Sequence, residues 1–253
     1  MPVERQSRFS RSFWTELAVV LSFLLVLSAV IRFASWDLAV QDYFYRAGEG
    51  WWAGQNPLVL LLYRVGCWPA IAVGVYGLIV WLLSGKRAGL VRYRSSALYT
   101  ALVLIVGPGI IINAVFKANW GRPRPREIER YEGTRAFVPV GSPGIWGKGK
   151  SFPSGHASMG FFWCSLYILH RRGNRRRARG YLLVTLVHGC AMGVGRIAQG
   201  GHFLSDVLWS AGFVYLTSLV LYSVLVGDAE KKTGKGQQLG LPTLRETWGA
   251  LRA

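Results

Sequence analysis

Cysteine is scarce in this chain, with 3 among 253 residues. Cys67, Cys164 and Cys190 fall in or beside apolar runs and show no paired spacing, which excludes a disulfide framework and a thiolate metal site and leaves them as expected buried packing residues. Acidic residues are few as well: 12 Asp and Glu stand against 30 Lys and Arg, for a net charge of +18. No hydrophilic stretch is long enough to enclose a second core, so a second soluble domain is excluded. There is no internal repeat. No nucleic-acid recognition motif is present either, and the basic residues are split up by apolar runs, so the charge does not point to nucleic acid.

What the chain does have is apolar length. Hydrophobic residues make up 51% and aromatic residues 13%, gathered in long blocks rather than spread at helical or strand periods. Six blocks read as membrane spans: 14–31, 57–83, 97–115, 157–169, 181–194 and 203–226. About 20 helical residues are needed to cross roughly 30 Å of hydrocarbon, so the fourth and fifth are short. The first block is too long for a signal-peptide core and lacks a small-residue cleavage site, so it is expected to be retained. The expectation is an all-α, integral membrane six-helix bundle. It occupies one domain, 1–226, followed by a loosely ordered tail, 227–253.

Loop charge sets the expected orientation. Arg5, Arg8 and Arg11 precede the first span, Lys86, Arg87, Arg92 and Arg94 follow the second, and Arg171, Arg172, Arg175, Arg176, Arg177 and Arg179 follow the fourth. These segments share one side, as does the tail with Lys231, Lys232 and Lys235, so both termini are expected in the cytoplasm. The third-to-fourth connection breaks the rule, with Lys117, Arg122, Arg124, Arg126, Arg130, Arg135, Lys148 and Lys150 on the opposite side. Cations on the disfavoured side suggest anion binding there.

Three strings lie on that side. In KANWGRPRP, 117–125, Pro123 and Pro125 stop the helix and turn Lys117 and Arg124 toward a common point, one a compact charge and the other a planar fork for two oxygens. In SFPSGHAS, 151–158, Ser154 can cap a helix or donate its hydroxyl, Gly155 permits close approach to unpaired N–H groups, and His156 stands in the first turn beside a bound anion. In GRIAQGGHFLSD, 195–206, His202 and Asp206 are four apart and would share a helix face. The carboxylate could then accept from one imidazole nitrogen and leave the other free to attack. Arg196 reaches the same anion if Gly200 and Gly201 make a tight return. Together the strings read as a phosphate site with its own nucleophile.

The three strings resemble the type 2 phosphatidic acid phosphatase family, whose fold is related to the vanadium haloperoxidases. Lys117, Arg124 and Pro125 match its first signature, Pro153, Ser154, Gly155 and His156 its second, and Arg196, His202 and Asp206 its third. Gly195 stands where the family usually has Ser, which removes a hydroxyl but no charged or nucleophilic group. The resemblance implies that His202 attacks phosphorus to form a phosphohistidine, with Asp206 orienting it. It implies too that His156 protonates the leaving oxygen, and that Lys117, Arg124, Arg196, Ser154 and the N–H of Gly155 hold the phosphate oxygens. No metal and no cofactor is implied.

A site at the outer membrane edge suits an amphiphile with its phosphate at headgroup depth, so the expected partners are a membrane lipid phosphate and the bilayer. The run GRPRPREIERYEG and the following GKSFPSGHAS look similar to the lipid A phosphatase branch. The loop residues Arg126, Glu127, Glu129, Arg130, Tyr131, Trp146, Lys148 and Lys150 suit an interfacial sugar or headgroup. Undecaprenyl pyrophosphate, phosphatidylglycerophosphate and phosphatidic acid stay open as substrates. Two other classes stay open too: a non-enzymatic anion-binding membrane protein or transporter, and a haloperoxidase, which six spans disfavour. The oligomeric state is not legible.

Overall fold

The computed structural model describes residues 9–227 and 240–252. Arg5, Arg8, Lys231, Lys232 and Lys235, used above to assign sidedness, lie outside the described residues. Helix α1 (Arg11–Phe33) starts where the Ser10 hydroxyl accepts from the Phe13 N–H at 3.2 Å. It buries only Phe13, Leu24 and Ile31 and turns residues such as Phe23, Leu25 and Val26 outward. An apolar surface of that extent suits lipid rather than water. A short α2 (Trp36–Phe44) and a two-stranded hairpin, β1 (Tyr45–Arg46) with β2 (Gly50–Trp51), lead back to the bundle.

The expected second span is two helices, α3 (Pro57–Val65) and α4 (Trp68–Ser84). Asn56 caps the first, and Pro57, which needs no N–H partner, opens it. A 3₁₀ turn (Ala88–Tyr93) and α5 (Arg94–Leu104) run into a π-helical stretch (Ile105–Lys117). Pro108 inside it has no N–H to donate, and Asn113 Nδ2 donates to the Pro108 carbonyl at 2.6 Å. The long loop after Lys117 ends at α6 (Gly155–Phe161) and α7 (Cys164–His170). Then come α8 (Arg175–Ala198), capped by Asn174, and α9 (Leu204–Tyr222), which continues through a π-type turn (Ser223–Gly227).

Among the described residues five helical stretches are long and apolar enough to cross a membrane: Arg11–Phe33, Pro57–Ser84, Ala88–Lys117, Arg175–Ala198 and Leu204–Gly227. The fourth expected block, 157–169, takes a different form. It is the α6–α7 pair, packed against α8 and α9 with Ala157, Phe162, Ile168 and Leu169 fully buried. The pair still carries the chain from the His156 end of the bundle to the end where Arg171 meets Glu16, but as two short helices enclosed by protein rather than one long lipid-facing helix. The main core joins Tyr99, Val103 and Ile112 to Phe162, Ile168, Leu169 and Val214.

Two other expectations change. Of the cysteines only Cys164 is buried; Cys67 is half-buried and Cys190 faces outward from α8. The tail was expected to be loose, yet α10 (Leu244–Arg252) docks against the 3₁₀ turn. There the Tyr93 hydroxyl donates to Glu246 at 2.8 Å and the Tyr76 hydroxyl to the Pro242 carbonyl at 2.8 Å. The rest of the expected tail, 228–239 and 253, lies outside the described residues.

Candidate active site

Four helix ends meet at one end of the bundle. Lys117 closes the π-helical stretch, His156 opens α6, Arg196 lies in the last turn of α8, and His202 directly precedes α9. With Arg124 they line one cleft of about 440 Å³. The three strings, which run from residue 117 to residue 206, therefore converge on one cationic cleft with two imidazoles.

His202 is almost wholly buried. Its Nδ1 donates to the Ser151 carbonyl at 2.6 Å, so the proton is held on Nδ1 and Nε2 keeps its lone pair. Asp206 Oδ2 is 3.8 Å from the same Nδ1, beyond hydrogen-bond length. This corrects the expected direct contact. The i,i+4 argument assumed a helix through both residues, whereas α9 begins only at Leu204. The turn at His202 is instead fixed by Gln41, whose Nε2 donates to the His202 carbonyl at 2.7 Å. Burial first, and then the charges of Lys117 and Arg196, push the His202 pKa down to about 3 against the pull of Asp206. The imidazole is therefore neutral, as a nucleophile must be.

Asp206 is the hub behind that histidine. It accepts from Arg122 Nη1 at 2.6 Å, from the Ser151 hydroxyl at 2.5 Å and from the Phe203 N–H at 2.8 Å. Ser151 thus joins the carboxylate through its hydroxyl to the imidazole through its carbonyl. Arg122 also reaches Asp37 Oδ2 at 2.7 Å and the Ser205 hydroxyl at 2.8 Å. Burial by itself would lower the Arg122 pKa, but Asp206 and Asp37 outweigh it and hold the guanidinium charged.

Gly200 and Gly201 make the return that brings Arg196 to the site. Gly200 has φ +58°, and a Cβ there would lie 2.2 Å from the Trp51 ring; one on Gly201 would lie 2.3 Å from Arg196 Nη2. Gly155 likewise lets Lys117 in, since a Cβ would lie 3.0 Å from Lys117 Nζ and 2.7 Å from Asn113 Oδ1. Ser154 is buried as the α6 cap, with its oxygen accepting from the Ala157 N–H at 3.4 Å. Ser154, Gly155 and Asp206 lie behind the cleft wall, and Lys117, Arg124, His156, Arg196 and His202 form it. The Nε groups of Arg124 and Arg196 are buried with no hydrogen-bond partner among the described residues, which makes them donors that an oxyanion would satisfy.

Of the loop residues expected to meet a headgroup, Arg126 lines the cleft. Arg130 and Tyr131 instead bind Asp42, Glu127 accepts from the Arg124 N–H at 3.0 Å, and Trp146 is 76% exposed away from the cleft. Glu49, Trp51, Gly54, Gln55, Leu60, Tyr63 and Gln199 complete the lining. The motifs signal none of these seven apart from Gln199, which falls inside the third string. Among the described residues no group of three or more His, Cys, Asp or Glu is placed to hold a metal ion.

A neutral imidazole with one free nitrogen, a second imidazole in the same cleft and the cations Lys117, Arg124, Arg126 and Arg196 make an anion-binding type of site at one end of a bundle of apolar helices. The comparison with known proteins agrees. Residues 97–228, just over half of the chain, match the PAP2 superfamily, and the chain belongs to that family. It is 36% identical over 143 residues to the "Lipid A 4'-phosphatase" of Francisella tularensis subsp. novicida (strain U112), a match covering 55% of this chain and 63% of that protein. It is 31% identical over 142 residues to the protein of the same name from Rhizobium leguminosarum, covering 55% and 58%. The chain thus spans less than two thirds of the length of these curated relatives. No solved structure matches it.

Proposed function

We propose that the chain is a metal-independent phosphatase of the inner membrane that hydrolyses a phosphomonoester on a lipid A-type glycolipid. The observation that carries this reading is the pairing of a buried neutral His202, its proton fixed on Nδ1, with His156 in a cleft lined by four cations. The names of the relatives favour lipid A as the substrate class.

The steps follow from the positions. Nε2 of His202 attacks phosphorus in line while the bond to the lipid oxygen breaks, and His156 gives that oxygen its proton, which releases a lipid hydroxyl. Lys117, Arg124 and Arg196 neutralise the three equatorial oxygens, with the Ser154 hydroxyl and the Gly155 N–H at the rear of the cradle. A water then attacks phosphorus and passes its proton to the now neutral His156. The bond from phosphorus to Nε2 breaks, inorganic phosphate leaves, and both histidines are restored.

His156 must hold a proton for the first step. Burial first, and then Arg196, Lys117 and Arg124, bring its pKa down to about 4 in the free protein. A bound phosphate opposes those three charges and raises it, so the acid is loaded by the substrate that needs it.

The loop charges around Arg92 and Arg176, at the end away from the cleft, favour a cytoplasmic position for that end and an outward-facing site. Both termini then lie inside. The test is phosphate release by purified protein in detergent containing EDTA. The substrate panel comprises a lipid A phosphomonoester, undecaprenyl pyrophosphate, phosphatidylglycerophosphate and phosphatidic acid. The expected result is turnover of the lipid A monoester above the other three. Tight phosphate binding without release from any of them would favour an anion-binding or transport role and end the enzyme reading.

A further inference from the structure

Tyr63 belongs to none of the three strings and lies on α3, a helix with no buried residue. Its ring nevertheless stacks on the His156 imidazole, with centroids 4.7 Å apart and planes 16° from parallel. The Arg196 guanidinium carbon sits 4.7 Å from the centre of the same ring. One residue thus touches both the group assigned to protonate the leaving oxygen and a cation assigned to the phosphate.

We propose that Tyr63 is the positioning residue of the leaving-group acid, its ring fixing the plane of His156 so that a ring nitrogen faces the substrate oxygen. This rests on the phosphatase reading above. The stacked ring restrains the imidazole from turning about its side-chain bonds, which holds its proton-bearing edge in one plane. An electron-rich ring face also favours the protonated imidazole, as it favours the neighbouring guanidinium. That matters here because Arg196, Lys117 and Arg124 all face His156 and all work against its proton.

The proton goes to the leaving oxygen as the bond from that oxygen to phosphorus breaks and the bond from His202 Nε2 forms. An alcohol leaving group needs that proton, whereas p-nitrophenolate leaves without it. Tyr63→Leu and Tyr63→Phe, made in the full chain, would be assayed on p-nitrophenyl phosphate and on a lipid phosphomonoester. The expected result for Tyr63→Leu is a loss of about 10- to 100-fold in kcat on the lipid ester, inside the ~10²- to 10⁴-fold span of losing a general acid outright. The aryl ester should lose less than about threefold, which also shows that the variant is folded. Tyr63→Phe, which keeps the ring, should retain both activities, and Tyr63→Leu added to His156→Ala should cause no further leaving-group-dependent loss. Equal losses on both esters, no loss on either, or damage by Phe as large as by Leu would overturn the assignment. A wild-type protein that turns over neither ester would be a different failure, that of the phosphatase reading itself.

Discussion

Arg122 offers the sharpest test of what holds the site together. Its guanidinium is completely buried and bridges two carboxylates, Asp206 at 2.6 Å and Asp37 at 2.7 Å, on α9 and α2. Arg122→Met keeps the length and apolar volume of the side chain but strands two buried negative charges. Removing one partner of a buried ion pair costs about 3–5 kcal/mol, because the remaining charge has neither water nor a counter-ion. A chain of this size loses roughly 2–4 °C of melting temperature per kcal/mol, so a loss of about 4 kcal/mol corresponds to about 8–16 °C. Arg130 provides an internal control. It forks onto Asp42 at 2.9 and 2.8 Å, but the two side chains are 53% and 41% exposed. Arg130→Met should therefore cost less than about 1 kcal/mol. Thermal unfolding of the two variants in the same detergent would measure both, and Asp37→Asn combined with Arg122→Met should recover part of the loss. If Arg122→Met melts within about 2 °C of wild type, or no lower than Arg130→Met, the argument that this buried network anchors Asp206 is wrong.

His202→Ala should leave less than about a thousandth of wild-type turnover, while replacement of Cys67, Cys164 and Cys190 together should keep activity; phosphate release measures both. Gly201→Ala should lower kcat/KM by roughly 10²-fold, because its methyl would displace the Arg196 guanidinium. Gly195→Ser should be tolerated, since a Cβ there meets nothing closer than Val59 Cγ1 at 3.8 Å. Turnover needs protonated His156 and so falls as pH rises through its pKa; phosphate raises that pKa, so the basic limb of kcat should lie at higher pH than that of kcat/KM, and coincident limbs would argue against this loading. A single cysteine at the exposed Trp146, in a cysteine-free background, should react with an impermeant maleimide in spheroplasts, whereas one at Arg176 should not. The reverse pattern would put the site in the cytoplasm.

The sequence by itself determined what depends on neighbours along the chain. Apolar runs of sufficient length mark five of the spans, because crossing hydrocarbon requires length and little else. The prolines after Lys117 and the glycine pair before His202 mark where helices must stop, and so place Lys117, Arg124, Arg196 and both histidines at helix ends. Only the tertiary structure decided how these ends are held. Asp37 and Gln41 on α2 support Arg122 and His202 across 85 and 161 residues of chain, and no local pattern distinguishes them from other polar residues at a helix surface. Ser151 orients His202 through a carbonyl, a group every residue carries and no sequence can single out. The same holds for Tyr63, an aromatic residue in an apolar helix until the packing of α3 beside α8 sets its ring against His156 and Arg196. The fourth apolar run is too short for a single lipid-facing span; the structure makes it the α6–α7 pair, which carries the chain from the His156 end of the bundle to the Arg171 end while packed against α8 and α9, so its form is set by the side chains that enclose it.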